Sequence, residues 1–85
     1  NDLMAAGALR VLREAGLDVP RAVSVVGFDD APLAQSTHPP LTTVHQSPEQ
    51  MGREMVALLL DTMRHPDEPP EPRLLETRLV VRDSS

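Results

Sequence analysis

"SVVGFDDAPLAQSTHPPLTTVHQ", residues Ser24 to Gln46, decides how this chain is read. An apolar run ends in two adjacent carboxylates, Asp29 and Asp30, and a polar, proline-rich passage follows at once. The run Val23 to Phe28 is rich in β-branched residues and too short for a helix. Its apolar residues fall on both faces, which predicts a strand covered on both sides, as in a parallel sheet. In open α/β sheets ligands sit beyond the carboxyl ends of the strands, and the two aspartates lie just past such an end. One ionised carboxylate accepts hydrogen bonds from two neighbouring hydroxyls, which suits a sugar or another polyol. Two successive residues of a continuing strand cannot both point into one cleft. Asp29 is therefore assigned to the ligand, and Asp30 to bracing the loop as a cap for the turn at Ala31-Pro32. On pattern alone the pair is equally open to being two solvated turn residues.

Working backward, Asn1 or Asp2 can cap a helix over residues 2–15. Met4, Ala8, Val11, Leu12 and Ala15 recur at helical spacing, and Ala5, Leu9 and Leu12 mark an adjoining apolar row. Gly16 falls where a left-handed C′ residue belongs, with Leu17 at C″, as in a Schellman ending. Working forward, residues 30–41 read as irregular. A cis bond before Pro39 or Pro40 is possible and the sequence does not decide it. Thr42 to Val44 reads as a short extended piece. Ser47-Pro48-Glu49-Gln50 is a capping box with proline at N1. Met51, Met55, Leu58, Leu59 and Met63 form an apolar stripe on the helix it opens, read as core, and the helix should stop near His65. "HPDEPPEPR" is a solvated loop. Alternation over 74–82 predicts a closing strand with one face more polar than the other. The fold class is thus α/β, with two main helices, a short parallel-type strand 23–28 and a C-terminal strand 74–82.

Composition narrows the function. The chain has 85 residues, a formal net charge of −5 and no cysteine. A disulfide or thiolate metal site is excluded. Every basic residue is Arg, and a net negative segment is poorly suited to gripping phosphates. His38 and His45 have no metal-ligand spacing and no third ligand, and no metal or cofactor is expected. No Ser or Thr has a convincing base and orienting acid, so no enzyme activity is expected. Asn1 at a helix start and Gln46 between an extended piece and a helix are each open to two readings, a simple cap or loop amide, or a cleft-lining group. "LREAGLDVPRAVSVV" superficially reads as helix-turn-helix, but Val23 to Phe28 offers no polar outer face to read DNA.

Four motifs, "NDLMAAG", "GLDVPRAVSVVGFDD", "PPLTTVHQ" and "MG" in the next helix, occur in an order that resembles the LacI/GalR family of bacterial transcription regulators. The resemblance runs from Asn1 through "TRLVVRDSS" and falls on the C-terminal part of the effector-binding domain. It implies a partial periplasmic-binding-protein-like (type I) fold, the C-terminal subdomain, occupying residues 1–85. The family's DNA-binding headpiece and N-terminal subdomain have no counterpart in these residues, so operator DNA would be held by parts outside them. The resemblance implies that Asn1, Asp29 and Gln46 line the effector cleft, the positions chosen from the residues. Ala6, Leu9, Arg10, Leu33 and Thr37 are the dimer-interface candidates. The implied protein is a cytoplasmic, dimeric repressor that senses a small molecule, a sugar by default and a nucleobase as the lesser option, with no membrane partner. The alternative is the solute-binding protein of a sugar transporter, which shares the fold. An enzyme using both aspartates on a polyol is a third and weaker reading. Residues 1–85 taken alone are expected to associate through exposed sheet edges and apolar helix faces, without binding DNA and with feeble effector binding.

Overall fold

The computed structural model describes all 85 residues. They form two compact units, Asn1–His45 with Thr77–Ser85, and Gln46–Glu76.

In the first unit, helix α1 spans Asp2–Glu14. Asn1 is its cap, the side-chain oxygen accepting from the Met4 N–H at 2.9 Å. The helix ends as the sequence predicts. Gly16 has φ +74, the Gly16 N–H reaches Arg13 O at 3.0 Å, and the Leu17 N–H reaches Leu12 O at 2.9 Å. These are the two bonds of a Schellman ending. Of the two apolar rows, the one containing Ala5 and Leu9 is buried, while Met4 and Val11 of the other are exposed. The core is small: Ala5, Leu9, Ala34 and Leu41, with Val19 and Val25 packed against it.

The run Val23–Phe28 is not a regular strand. It touches its neighbour through one isolated parallel bridge, Val26 with Thr42, and a second follows just past its end, Asp29 with His45. The parallel direction is as expected; the continuous ladder is not. Ser84 is the reason. Its hydroxyl donates to Val25 O at 2.6 Å and accepts from the Thr42 N–H at 2.8 Å. A side chain thereby stands between two main-chain groups that would otherwise be a rung. The run is also covered on one face only. Val25 points to the core and Gly27 is buried, but Val26 is 53% exposed and Phe28 is exposed as well.

Strand β1, Thr43–His45, pairs antiparallel with β2, Arg78–Val80, in the register Thr43 to Val80 and His45 to Arg78. The closing strand is thus far shorter than 74–82. On one side Leu74 is fully exposed. On the other, the Arg82 N–H turns to the Thr42 hydroxyl at 2.8 Å, which ends main-chain pairing. The apolar alternation is inverted: Leu79 and Val81 face outward, and Val80 and Arg82 are half-buried. A 3₁₀ turn, Pro32–Gln35, links the aspartates to β1. The Val19–Pro20 and His38–Pro39 bonds are cis.

The second unit holds helix α2, Pro48–Arg64, capped by Ser47, whose hydroxyl accepts from the Gln50 N–H at 3.2 Å. It has no buried residue. The Met row expected as core is open: Met55, Leu59 and Met63 are exposed, and Met51 and Leu58 are half-buried. Within this unit Arg73 and Leu75 lie beside Met51, Met55 and Leu58 and cover the row only in part. The acidic loop is tied back by Arg73, which bonds Glu54 at 2.7 Å. With little packing to hold it, α2 leans on its cap. Ser47→Ala is expected to cost about 1 kcal/mol, read as roughly five-fold faster amide exchange over residues 50–52.

Candidate functional site

The site is built around the bend that ends the apolar run. Asp29 has φ 125 and Asp30 has φ 55. Positive φ is uncommon outside glycine, and Asp is among the residues that tolerate it. Two in succession overturn the expectation that strand geometry continues here. Strain of this kind persists only where the surroundings over-determine it, and here they do. Phe28 O accepts from the Asp2 N–H at 3.2 Å, and the Asp29 N–H donates to Val44 O at 2.9 Å. The Asp30 N–H donates to the Thr43 hydroxyl at 3.2 Å, and the Ala31 N–H donates to Asp2 Oδ2 at 2.7 Å.

Asp30 braces the loop, but not as a cap for Ala31-Pro32. Its Oδ1 takes the Arg82 guanidinium at 2.9 Å and its Oδ2 faces His45 Nδ1 at 2.8 Å. The second arm of Arg82 donates to Leu41 O at 2.9 Å. The Arg82 hydrogen bond holds the Asp30 carboxyl below its ordinary value of 3.8; partial burial opposes this, and His45 assists. The role of cap at Ala31 belongs to Asp2, which is 1% exposed. Its second oxygen accepts from the Thr43 hydroxyl at 2.6 Å.

Asn1 and Asp29 belong to the same end of the first unit, since the Asp2-to-Phe28 bond sets the start of α1 beside the end of the run. Asn1 is exposed and Asp29 half-buried. Gln46 follows His45, the bridge partner of Asp29, and opens the second unit. Of the interface candidates, Ala6, Leu9, Arg10 and Thr37 line one shallow cleft between α1 and the passage after the 3₁₀ turn, and Leu33 lies on that turn. Leu9 is 3% exposed and part of the core, so its side chain is not available at the surface.

Sequence reasoning missed Asp2, Arg82 and His45 as parts of this site. Asp2 looks like an ordinary acid in a first helical turn. One available signal was Gly27, the smallest residue in an apolar run, which leaves room for a neighbour. A Cβ there would collide with Asp2 Oδ1 and lie 2.8 Å from Leu41 Cδ2.

The arrangement is a rigidly held turn at the carboxyl end of a parallel-paired segment, and in α/β folds small molecules are held beyond such ends. The periplasmic binding protein-like domain family matches residues 1–85, and the chain belongs to that family. The HTH-type transcriptional regulator CelR of Thermobifida fusca is 49% identical over 84 residues, covering 99% of this chain and 25% of that protein. The HTH-type transcriptional regulator GalR of Lacticaseibacillus casei is 45% identical over 85 residues, covering 100% of this chain and 26% of that protein. Among solved structures, a transcriptional regulator CelR–cellobiose complex superposes with a TM-score of 0.90 at 48% identity, covering 100% of this chain and 26% of that one. The chain thus spans about a quarter of the length of these relatives, and they are transcription regulators of the LacI/GalR type. No helix of the chain is long and apolar enough to cross a membrane.

Proposed function

We propose that residues 1–85 are the C-terminal part of the effector-binding domain of a cytoplasmic LacI/GalR-type repressor that senses a sugar. Asp29 accepts hydrogen bonds from vicinal hydroxyls of the effector, and Asn1 and Gln46 assist. The observation that carries this reading is the strained aspartate bend at the carboxyl end of the parallel-paired run, held beside the start of α1. The likeness to a regulator solved with cellobiose supports a sugar as the effector class. The full-length protein works by population shift: effector binding favours one arrangement of its subdomains and so changes operator affinity. Dimerisation uses the surface of Ala6, Arg10, Leu33 and Thr37, with Leu9 supporting it from beneath.

Calorimetry on the full-length protein tests the reading, with a panel of mono- and disaccharides that includes cellobiose and with purine nucleobases as the contrast. Hydrogen bonds to a charged group contribute about 1.5–3 kcal/mol. Asp29→Ala is therefore expected to weaken sugar binding by about 10- to 100-fold. Equal affinity in wild type and variant removes Asp29 from the role.

A further inference from the structure

Asp2 is buried deeper than any capping role requires. The cap of α1 is Asn1, whose oxygen already takes the Met4 N–H. The carboxylate of Asp2 instead leaves the helix. One oxygen takes the Ala31 N–H, just beyond the bend. The other takes the Thr43 hydroxyl, which in turn accepts the Asp30 N–H inside the bend. The main-chain N–H of Asp2 holds Phe28 O, just before the bend. One residue therefore grips both sides of Asp29-Asp30 and, through Thr43, its middle. Burying an ionised carboxylate is costly unless its oxygens are bonded, and both are.

We propose that the buried carboxylate of Asp2, relayed through the Thr43 hydroxyl, fixes the Asp29–Asp30 bend and is thereby a positioning residue for a hydroxylated effector at Asp29. The assignment of an effector to Asp29 rests on the function proposed above; the control of the bend does not. Two successive positive-φ residues relax toward extended backbone when their ties are cut. The Asp29 carboxylate then no longer meets ligand hydroxyls in a preset direction, and binding has to supply the ordering. The dependence is on the hydroxyl of Thr43 and not on its bulk, since a hydroxyl alone links Asp2 to the Asp30 N–H.

The test uses the full-length protein with Thr43→Val, Thr43→Ser and Asp2→Asn. Thr43→Val keeps the volume and removes the relay. Thr43→Ser keeps the relay. Asp2→Asn leaves one side-chain acceptor where the site uses two. Amide exchange at residues 30 and 31 is expected to be about tenfold faster in Thr43→Val and Asp2→Asn, beyond any change over the rest of the domain. Cellobiose affinity by calorimetry is expected to fall about tenfold in the same variants, with Thr43→Ser within twofold of wild type on both measures. Unchanged exchange at 30 and 31 in Thr43→Val overturns the proposal. So does Thr43→Ser falling as far as Thr43→Val, which would make the effect one of packing. If Asp2→Asn does not fold, the Thr43 pair decides alone. A wild type that ignores every sugar of the panel sinks the sensor reading, and the exchange comparison still decides what holds the bend.

Discussion

Arg82→Met is expected to destabilise the domain by about 3 kcal/mol, against no more than about 0.5 kcal/mol for Arg10→Met. Both arginines pair with a carboxylate, and burial separates them. The Arg82–Asp30 side chains are 18% and 14% exposed, whereas those of Arg10 and Glu14 are 75% and 62% exposed. Removing one partner of a buried pair leaves the other charge under-compensated and costs about 3–5 kcal/mol; the residual exposure of this pair and the His45 contact that Asp30 keeps place it at the lower end. An exposed i,i+4 pair contributes little. Arg82 also donates to Leu41 O, so its loss leaves that acceptor bare next to the core. Urea unfolding of the full-length protein, followed at both variants, reads the difference. The same pair has a pH signature. The folded pKa of Asp30 is depressed, so its contribution is present above the unfolded value and lost as pH falls through the folded one. The gap between wild type and Arg82→Met should hold from neutral pH down to about 4 and narrow below it, as protons neutralise the carboxylate. A gap independent of pH, or as small as that of Arg10→Met, would remove the pair from the account of the bend.

Gly27→Ala carries the other large expected effect. The added methyl would meet Asp2 Oδ1 and lie 2.8 Å from Leu41 Cδ2. Neither group can give way cheaply. Leu41 is fully buried, and the Asp2 carboxylate is held by Ala31 and Thr43. Overpacking costs about 1–3 kcal/mol, and each displaced hydrogen bond to the buried carboxylate adds about 1 kcal/mol or more. The sum is about 3–4 kcal/mol, large enough to cut the yield of soluble protein. Gly52→Ala is the matched control. Nothing lies within 4 Å of its added methyl, and alanine is the better helix former in α2, by about 0.5–1 kcal/mol. Thermal midpoints of the two variants should move in opposite directions. A Gly27→Ala protein as stable as wild type would mean that Asp2 is not held where the bend needs it.

Both effects act on one object, the turn that presents Asp29. Arg82 and His45 hold the side chain of Asp30, and Asp2 and Thr43 hold the backbone around it. A sensor of small molecules gains from such rigidity, because each group fixed in advance is one that binding does not have to order. The closing residues "VRDSS" therefore hold the bend as well as the sheet: Arg82 pins Asp30, and Ser84 stitches Val25 to Thr42.

The sequence by itself determined the features whose physics is local. Asn1, Gly16 and Ser47 mark helix ends because a cap answers N–H and C=O groups within three or four residues, and each stands where expected. The aspartate pair could be singled out for the same reason: two acids after an apolar run are visible in the sequence itself. Tertiary structure alone decided the rest. Ser84 meets Val25 across 59 positions, Arg82 meets Asp30 across 52, and Thr43 meets Asp2 across 41. No periodicity encodes such meetings, since they depend on which backbone groups the small core leaves side by side. That is why the run at 23–28 carries a single bridge instead of a strand, why the closing strand shortened to 78–80, and why a buried acid at position 2 passed for a helix cap.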